Sequence, residues 1–216
     1  MMLRFQTALC STFAKLSLGA MLAHPDYLSA AAEPPQLTVR MYSRVEVSPW
    51  LLDAGAAEAT RLLSTIPVRL SWLNCAAPAH PAKCESPETP ADLTIRLLSK
   101  ALPHASPNAL GMAMWSDSGA SAALFFDRAL SIRRPGILLP HVLGRAMAHE
   151  IVHLLLGIEP HSDLGLMRRK WSVEDLRMDS GACLGLSEHA VESIRTEAAR
   201  RVLIAKALPA SRSGAE

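Results

Sequence analysis

Residues Ala148–Trp171 read A-H-E-I-V-H-L-L-L-G-I-E-P-H-S-D-L-G-L-M-R-R-K-W, and the first half of this stretch sets the layout of the whole chain. His149 and His153 stand four residues apart, so on a helix their imidazoles leave from one face. Ile151, Val152, Leu154, Leu155 and Leu156 make the other faces apolar, the composition of a helix buried between two layers. Pro140 suits the opening of that helix, and Gly157 is a natural left-handed terminator. Ionisable groups inside such a helix are costly unless something pairs them. One metal ion shared by the two rings would do so.

Working outward, Gln36–Tyr42 (Q-L-T-V-R-M-Y) alternates with period two, as a half-buried strand does. Ser48 is a suitable N-cap with Pro49 at the first helical position, and an apolar stripe runs from Leu51 to Leu63. Pro67 ends that helix. Val68–Leu73 alternates again, and Asp92–Leu98, Ala109–Trp115 and Ala120–Asp127 read as three further strands. Beyond Gly157 come a loop to Lys170, a short turn over Ser172–Leu176, and a last helix over Ser187–Leu208. With most strands gathered ahead of the buried helix, the layout is α+β.

The chemistry follows from the helix. Neutral imidazoles suit zinc, which accepts tetrahedral geometry and, in a catalytic site, three protein ligands with one open position. Glu150 follows the first histidine and projects toward the same opening, where a carboxylate can take a proton from a metal-activated water. His161, eight residues after His153 and past the turn at Gly157, is the first choice for third ligand. Glu159 and Asp163 are nearby carboxylate alternatives, and Glu188 and Glu192 can reach from the last helix. His141 and Arg145 precede His149 at four-residue steps and read as cleft-entrance or partly exposed helix residues. No G-x-S-x-G elbow, phosphate-binding glycine loop or C-x-x-C pair is present, which removes the main support for serine-hydrolase, nucleotide-binding and structural-zinc readings.

The segment H-E-I-V-H-L-L-L-G-I-E-P-H-S followed by G-L-M resembles the metzincin metallopeptidases, and is nearest to their matrixin type. Their pattern is H-E-x-x-H-x-x-G-x-x-H with a methionine-containing tight turn. The resemblance implies that His149, His153 and His161 bind one zinc ion, that Glu150 is the general base, and that Met167 is the turn methionine. This chain departs from the pattern: Gly157 falls one residue late and His161 two. A second similarity lies upstream, where L-G-M-A-M-W and A-L-F-F-D resemble the cleft-edge strand of matrixins and the strand after it. It implies that Gly111, Met112 and Ala113 pair with the substrate backbone. The implied architecture is zincin-like: a twisted, mostly parallel sheet with an antiparallel edge strand, an active-site helix and a C-terminal helix. The chain after Gly157 would then form a small lower subdomain closing the cleft.

The bulk properties agree with one domain over residues 33–216. Of 216 residues, 50% are apolar and 19% charged, enough for a large core. A net charge of +2 is too mild to imply nucleic acid, and the short run Arg168, Arg169, Lys170 reads as a solvated face. Residues 1–32 read as an export signal: Arg4 ahead of apolar stretches, then Ala30, Ala31 and Ala32 as a cleavage site. A periplasmic or secreted monomer, off the membrane once the signal is removed, is the expectation. Cys75 and Cys84 are placed to close a Pro- and Ala-rich loop by a disulfide, and Cys183 is left over. The functional expectation is zinc-dependent hydrolysis of a peptide or protein substrate. Its rivals are a gluzincin-type peptidase with a glutamate as third ligand, and an exported non-enzymatic binding protein with a degenerate zinc site.

Overall fold

Alternation in Q-L-T-V-R-M-Y-S places Leu37, Val39 and Met41 on one face of strand β1 (Gln36–Ser43) and Thr38, Arg40 and Tyr42 on the other. In the computed structural model, which describes residues 33–116, 119–157, 161–177 and 185–208, β1 sits inside a five-stranded sheet. Helix α1 (Pro49–Leu62) carries the chain to β2 (Arg69–Asn74), which lies parallel to β1. Strand β3 (Asp92–Leu98) pairs with the other side of β1, and β5 (Gly119–Phe125) with β3, both parallel. Strand β4 (Gly111–Ser116) runs antiparallel to β5 at the end of the order β2-β1-β3-β5-β4. The sheet is thus mostly parallel with an antiparallel edge, and it is mixed with helices throughout the chain.

Two readings of the sequence need correction here. The strand expected to reach Asp127 stops at Phe125, whose N–H donates to the Leu110 carbonyl, and Phe126–Ser131 coils into helix α2. The apolar pair Phe125-Phe126 carries no information about where a strand ends, while Asp127 in the first turn suits a helix start. Ser48 does precede α1, but its side chain makes no capping hydrogen bond.

The two faces of the sheet are covered differently. Leu37, Val39 and Met41 join Leu93, Ile95, Leu97, Ala122 and Leu124 in the apolar core, and α1 and α3 (Leu139–Leu156) pack on it. The opposite face of β1 is covered by residues 83–87, the end of the loop that the Cys75–Cys84 disulfide closes and the residues just after it; that disulfide was expected from spacing. There Arg40 is 1% exposed, with Asp92 at 3.3 Å and the Ser86 carbonyl accepting from its Nη1 at 2.6 Å. Lys83 donates to Thr38 Oγ1, and the Tyr42 hydroxyl donates to the Cys84 carbonyl. A buried guanidinium is tolerable only with such pairing.

Helix α3 meets α1 at a close crossing. A Cβ on Gly144 would lie 2.6 Å from both Glu58 Cβ and the Gly55 carbonyl oxygen, so only glycine lets the helices approach this far. Arg145, expected near the cleft entrance or partly exposed, is instead fully buried, 3.7 Å from the Glu58 carboxylate and donating to the Arg177 carbonyl. Glu58 also accepts from Arg61 and faces His141 at 3.5 Å. A short helix α4 (Val173–Leu176) precedes the last helix, α5 (Glu188–Ala207), which Ser187 caps by accepting from the Ala190 N–H. Helix α5 does not form a separate lower subdomain. Its Ile194 and Ala198 enter the main core, and Arg201 donates to the Leu154 carbonyl at the end of α3. Among the described residues no helix is long and apolar enough to cross a membrane. The expected signal over 1–32, Glu159 and Cys183 lie outside the described residues.

Candidate functional site

Helix α3 is buried along nearly its whole length, and its two histidines leave from the same face, as four-residue spacing requires. Their Nε2 atoms approach to 3.1 Å, and His161, on the segment after the helix, brings its own Nε2 to 3.3 Å from that of His153. The three ligand atoms lie within 4.8 Å of one another, the one such group of His, Cys, Asp or Glu among the described residues.

These contacts are poor hydrogen bonds for a chemical reason. His149 Nδ1 sits 2.8 Å from the Leu166 carbonyl, which requires a proton on Nδ1. His153 is likewise held by the backbone carbonyl of Gly157. With the Nδ1 protons fixed, each Nε2 of the neutral rings presents a lone pair to the other. Double protonation is no escape: burial brings the His149 imidazolium down to about 4, against the help of the Leu166 carbonyl. Burial lowers His153 as well, and the same cause, joined by the charge of Arg169, lowers His161. The two lone pairs of His149 and His153, joined by the His161 ring in the tautomer that carries its proton on Nδ1, are the donor set of a divalent cation, and a backbone carbonyl behind a ligand ring is how proteins orient it. The residues fit zinc.

Glu150 is 5% exposed and lines the same cleft. Desolvation pushes its carboxyl up to about 8, while the N–H of Ala113 on β4 donates to it and opposes the rise. Gly111 makes the room: a Cβ there would fall 2.8 Å from Glu150 Oε1 and 2.9 Å from its Cγ. Gly111, Met112 and Ala113 all line the cleft and lie on an edge strand, the position that the resemblance implies.

The cleft encloses about 750 Å³ between β4, α3 and the segment 161–177. Met167 lies in the turn opened by Gly165 (φ 74°), where Ser162 N–H donates to the Met167 carbonyl. It is 7% exposed, and its neighbour Leu166 supplies the carbonyl that orients His149. Trp171 stands edge-on to the His149 ring with centroids 5.5 Å apart. The carboxylate alternatives are elsewhere: Asp163 is exposed and outside the histidine group, Glu188 opens α5, and Glu192 is tied to Arg195. Sequence reasoning missed two parts of the wall. Trp171 was not singled out, and the run Arg168, Arg169, Lys170, read as a solvated face and exposed at Arg169 and Lys170, also borders the cleft. The signal for both was position: a segment that brings His161 back to α3 keeps its next residues near the histidines.

No protein-family model matches the chain, and no curated protein matches it. Among solved structures, the crystal structure of archaemetzincin from Methanopyrus kandleri is similar at 13% identity with a TM-score of 0.44, covering 77% of this chain and 97% of that one.

Proposed function

We propose that this chain is a zinc-dependent peptidase in which His149, His153 and His161 hold the ion and Glu150 is the general base. The observation that carries the reading is the convergence of three imidazole Nε2 atoms beside a buried carboxyl in one cleft. Zinc bound there would supply Lewis acidity, making water acidic enough to be activated near neutrality and polarising a carbonyl. Glu150, held by the Ala113 N–H, accepts the proton of that water and passes it to the leaving amine. Burial lifts the carboxyl to about 8, so the metal-free chain holds it mostly protonated near neutrality, and a cation on the three histidines would draw it back toward the carboxylate that takes the water's proton. Strand β4 ends the sheet, so an extended peptide can add to its outer edge along Gly111, Met112 and Ala113. The metzincin-like sequence pattern supports the same reading, with Met167 in the turn behind His149. The Cys75–Cys84 disulfide supports export to an oxidising compartment.

Two measurements on the purified chain test this. Elemental analysis should find one zinc per wild-type chain, kept by Glu150→Gln and lost by His161→Ala. Peptide cleavage should fall by about 10²–10⁴ in Glu150→Gln. Cleavage unaffected by that substitution would remove Glu150 from the chemistry. Zinc retained without cleavage of any peptide in a broad library would leave a binding protein.

A further inference from the structure

A divalent ion is a poor neighbour for cations, yet three consecutive basic residues line the cleft beside it. Arg168 is accounted for by structure. Its Nη1 donates to Asp175 Oδ2 at 2.6 Å, and the same oxygen accepts from the Ser172 N–H, which fastens the end of the segment. Arg169 and Lys170 have no such duty. Both are exposed, both border the cleft, and among the described residues neither is paired with a carboxylate. Arg169 lies close enough to His161 for its charge to act on that ring. Glu150 is the one carboxylate among the described cleft residues, and it is buried at the base. The rest of the lining is largely apolar, including Met112, Trp115 and Trp171.

Cations fixed beside a cationic metal weaken its binding by like-charge repulsion unless an anion sits between or alongside them. A solvated charge run would relieve this by lying away from the site, whereas this pair, though exposed, borders the cleft that holds the histidines. We infer that Arg169 and Lys170 select peptides carrying an acidic side chain near the bond to be cut, their charges meeting a substrate carboxylate on the wall formed after His161. The inference rests on the peptidase reading and names its substrate class. Exposed charge pairs are weak singly, so the expected preference is about ten-fold for two cations, and it shrinks as salt rises.

The test uses labelled octapeptides of alanine and glutamine, each with one glutamine replaced in turn by glutamate. Binding is measured by fluorescence anisotropy to the zinc-loaded full chain carrying Glu150→Gln, which cannot consume them. Glutamate at one or two neighbouring positions should tighten Kd about ten-fold over the all-glutamine parent. Adding Arg169→Gln and Lys170→Gln should abolish that gain while the parent peptide binds as before. No gain at any position, or a gain that survives the double substitution, overturns the inference. The peptidase reading is scored separately by wild-type cleavage of the parent peptide. Cleavage without glutamate preference defeats the charge selection alone. Selective binding without cleavage defeats the peptidase alone.

Discussion

A single missing methyl group positions the proposed base. Gly111 has no unusual backbone conformation, so its role is space: a Cβ would meet Glu150 Oε1 at 2.8 Å, Glu150 Cγ at 2.9 Å and the Ala123 carbonyl oxygen at 2.9 Å. The carbonyl belongs to the paired strand β5 and cannot retreat, so the glutamate must move. Gly111→Ala should therefore lower kcat for peptide cleavage by about 10²-fold, the scale of a catalytic group displaced by an ångström. Zinc content should stay at one per chain, since the atoms nearest that position belong to Glu150 and the Ala123 carbonyl. Unchanged kcat would show that Glu150 adapts freely. At this scale much was legible. The H-x-x-x-H spacing gives two rings on one helical face in any fold, and His161 was within reach once Gly157 turned the chain. The buried pairs were not legible, because Arg40 finds Asp92 across 52 residues and Arg145 finds Glu58 from another helix.

Between elements, the α1–α3 crossing carries both the steric and the electrostatic constraints. Gly144→Ala drives a methyl into Glu58 Cβ and the Gly55 carbonyl at 2.6 Å, and backbone on the facing helix leaves little room to yield. Overpacking of this kind costs roughly 1–3 kcal/mol, readable as a lower midpoint in urea unfolding. The Glu58 carboxylate at the same crossing makes the contact pH-dependent. Burial alone would raise its pKa, but Arg61, then His141 and Arg145, more than offset this and hold it below the ordinary 4.5. A depressed carboxylate stabilises the fold above its unfolded pKa, and that contribution is lost as pH falls through the lower, folded value. Wild-type stability should therefore fall as pH drops below about 4.5, and Glu58→Gln should be less stable at neutral pH with a flatter slope over that range. Parallel slopes for the two proteins would place the acid sensitivity elsewhere. Element types were readable from period, since Leu37, Val39 and Met41 alternate and α3 is apolar all round. The crossing was not, because nothing local distinguishes a packing glycine from any other.

Over the whole molecule, two short-range cross-links, the disulfide and the histidine group, lie on opposite faces of one sheet. Residues 83–87, at the end of the disulfide loop and just past it, cover the polar face of β1 at Thr38, Arg40 and Tyr42, while the histidine group sits with α3 on the apolar face. The sheet order β2-β1-β3-β5-β4 could not be foreseen from alternation, which sets faces but not neighbours, so this separation was visible only in the fold. It makes the two contributions independent. Linking Cys75 to Cys84, nine positions apart, restricts the unfolded chain by roughly 2–3 kcal/mol. An ion bound only by the folded chain adds about 4 kcal/mol at a thousand-fold excess over its Kd. For a chain of this size each kcal/mol shifts Tm by roughly 2–4 °C. Chelation should thus lower Tm by about 10 °C, zinc should restore it, and His161→Ala should respond far less. Cys75→Ala with Cys84→Ala avoids the thiol reductants that would themselves bind zinc, and should lower Tm by several degrees while zinc content holds. Because the two sites share no partners, the chelated double-alanine chain should show the sum of the two losses to within about 0.5 kcal/mol. A loss well beyond the sum would mean that β1 transmits strain from the loop to α3, and that the two faces fold as one unit.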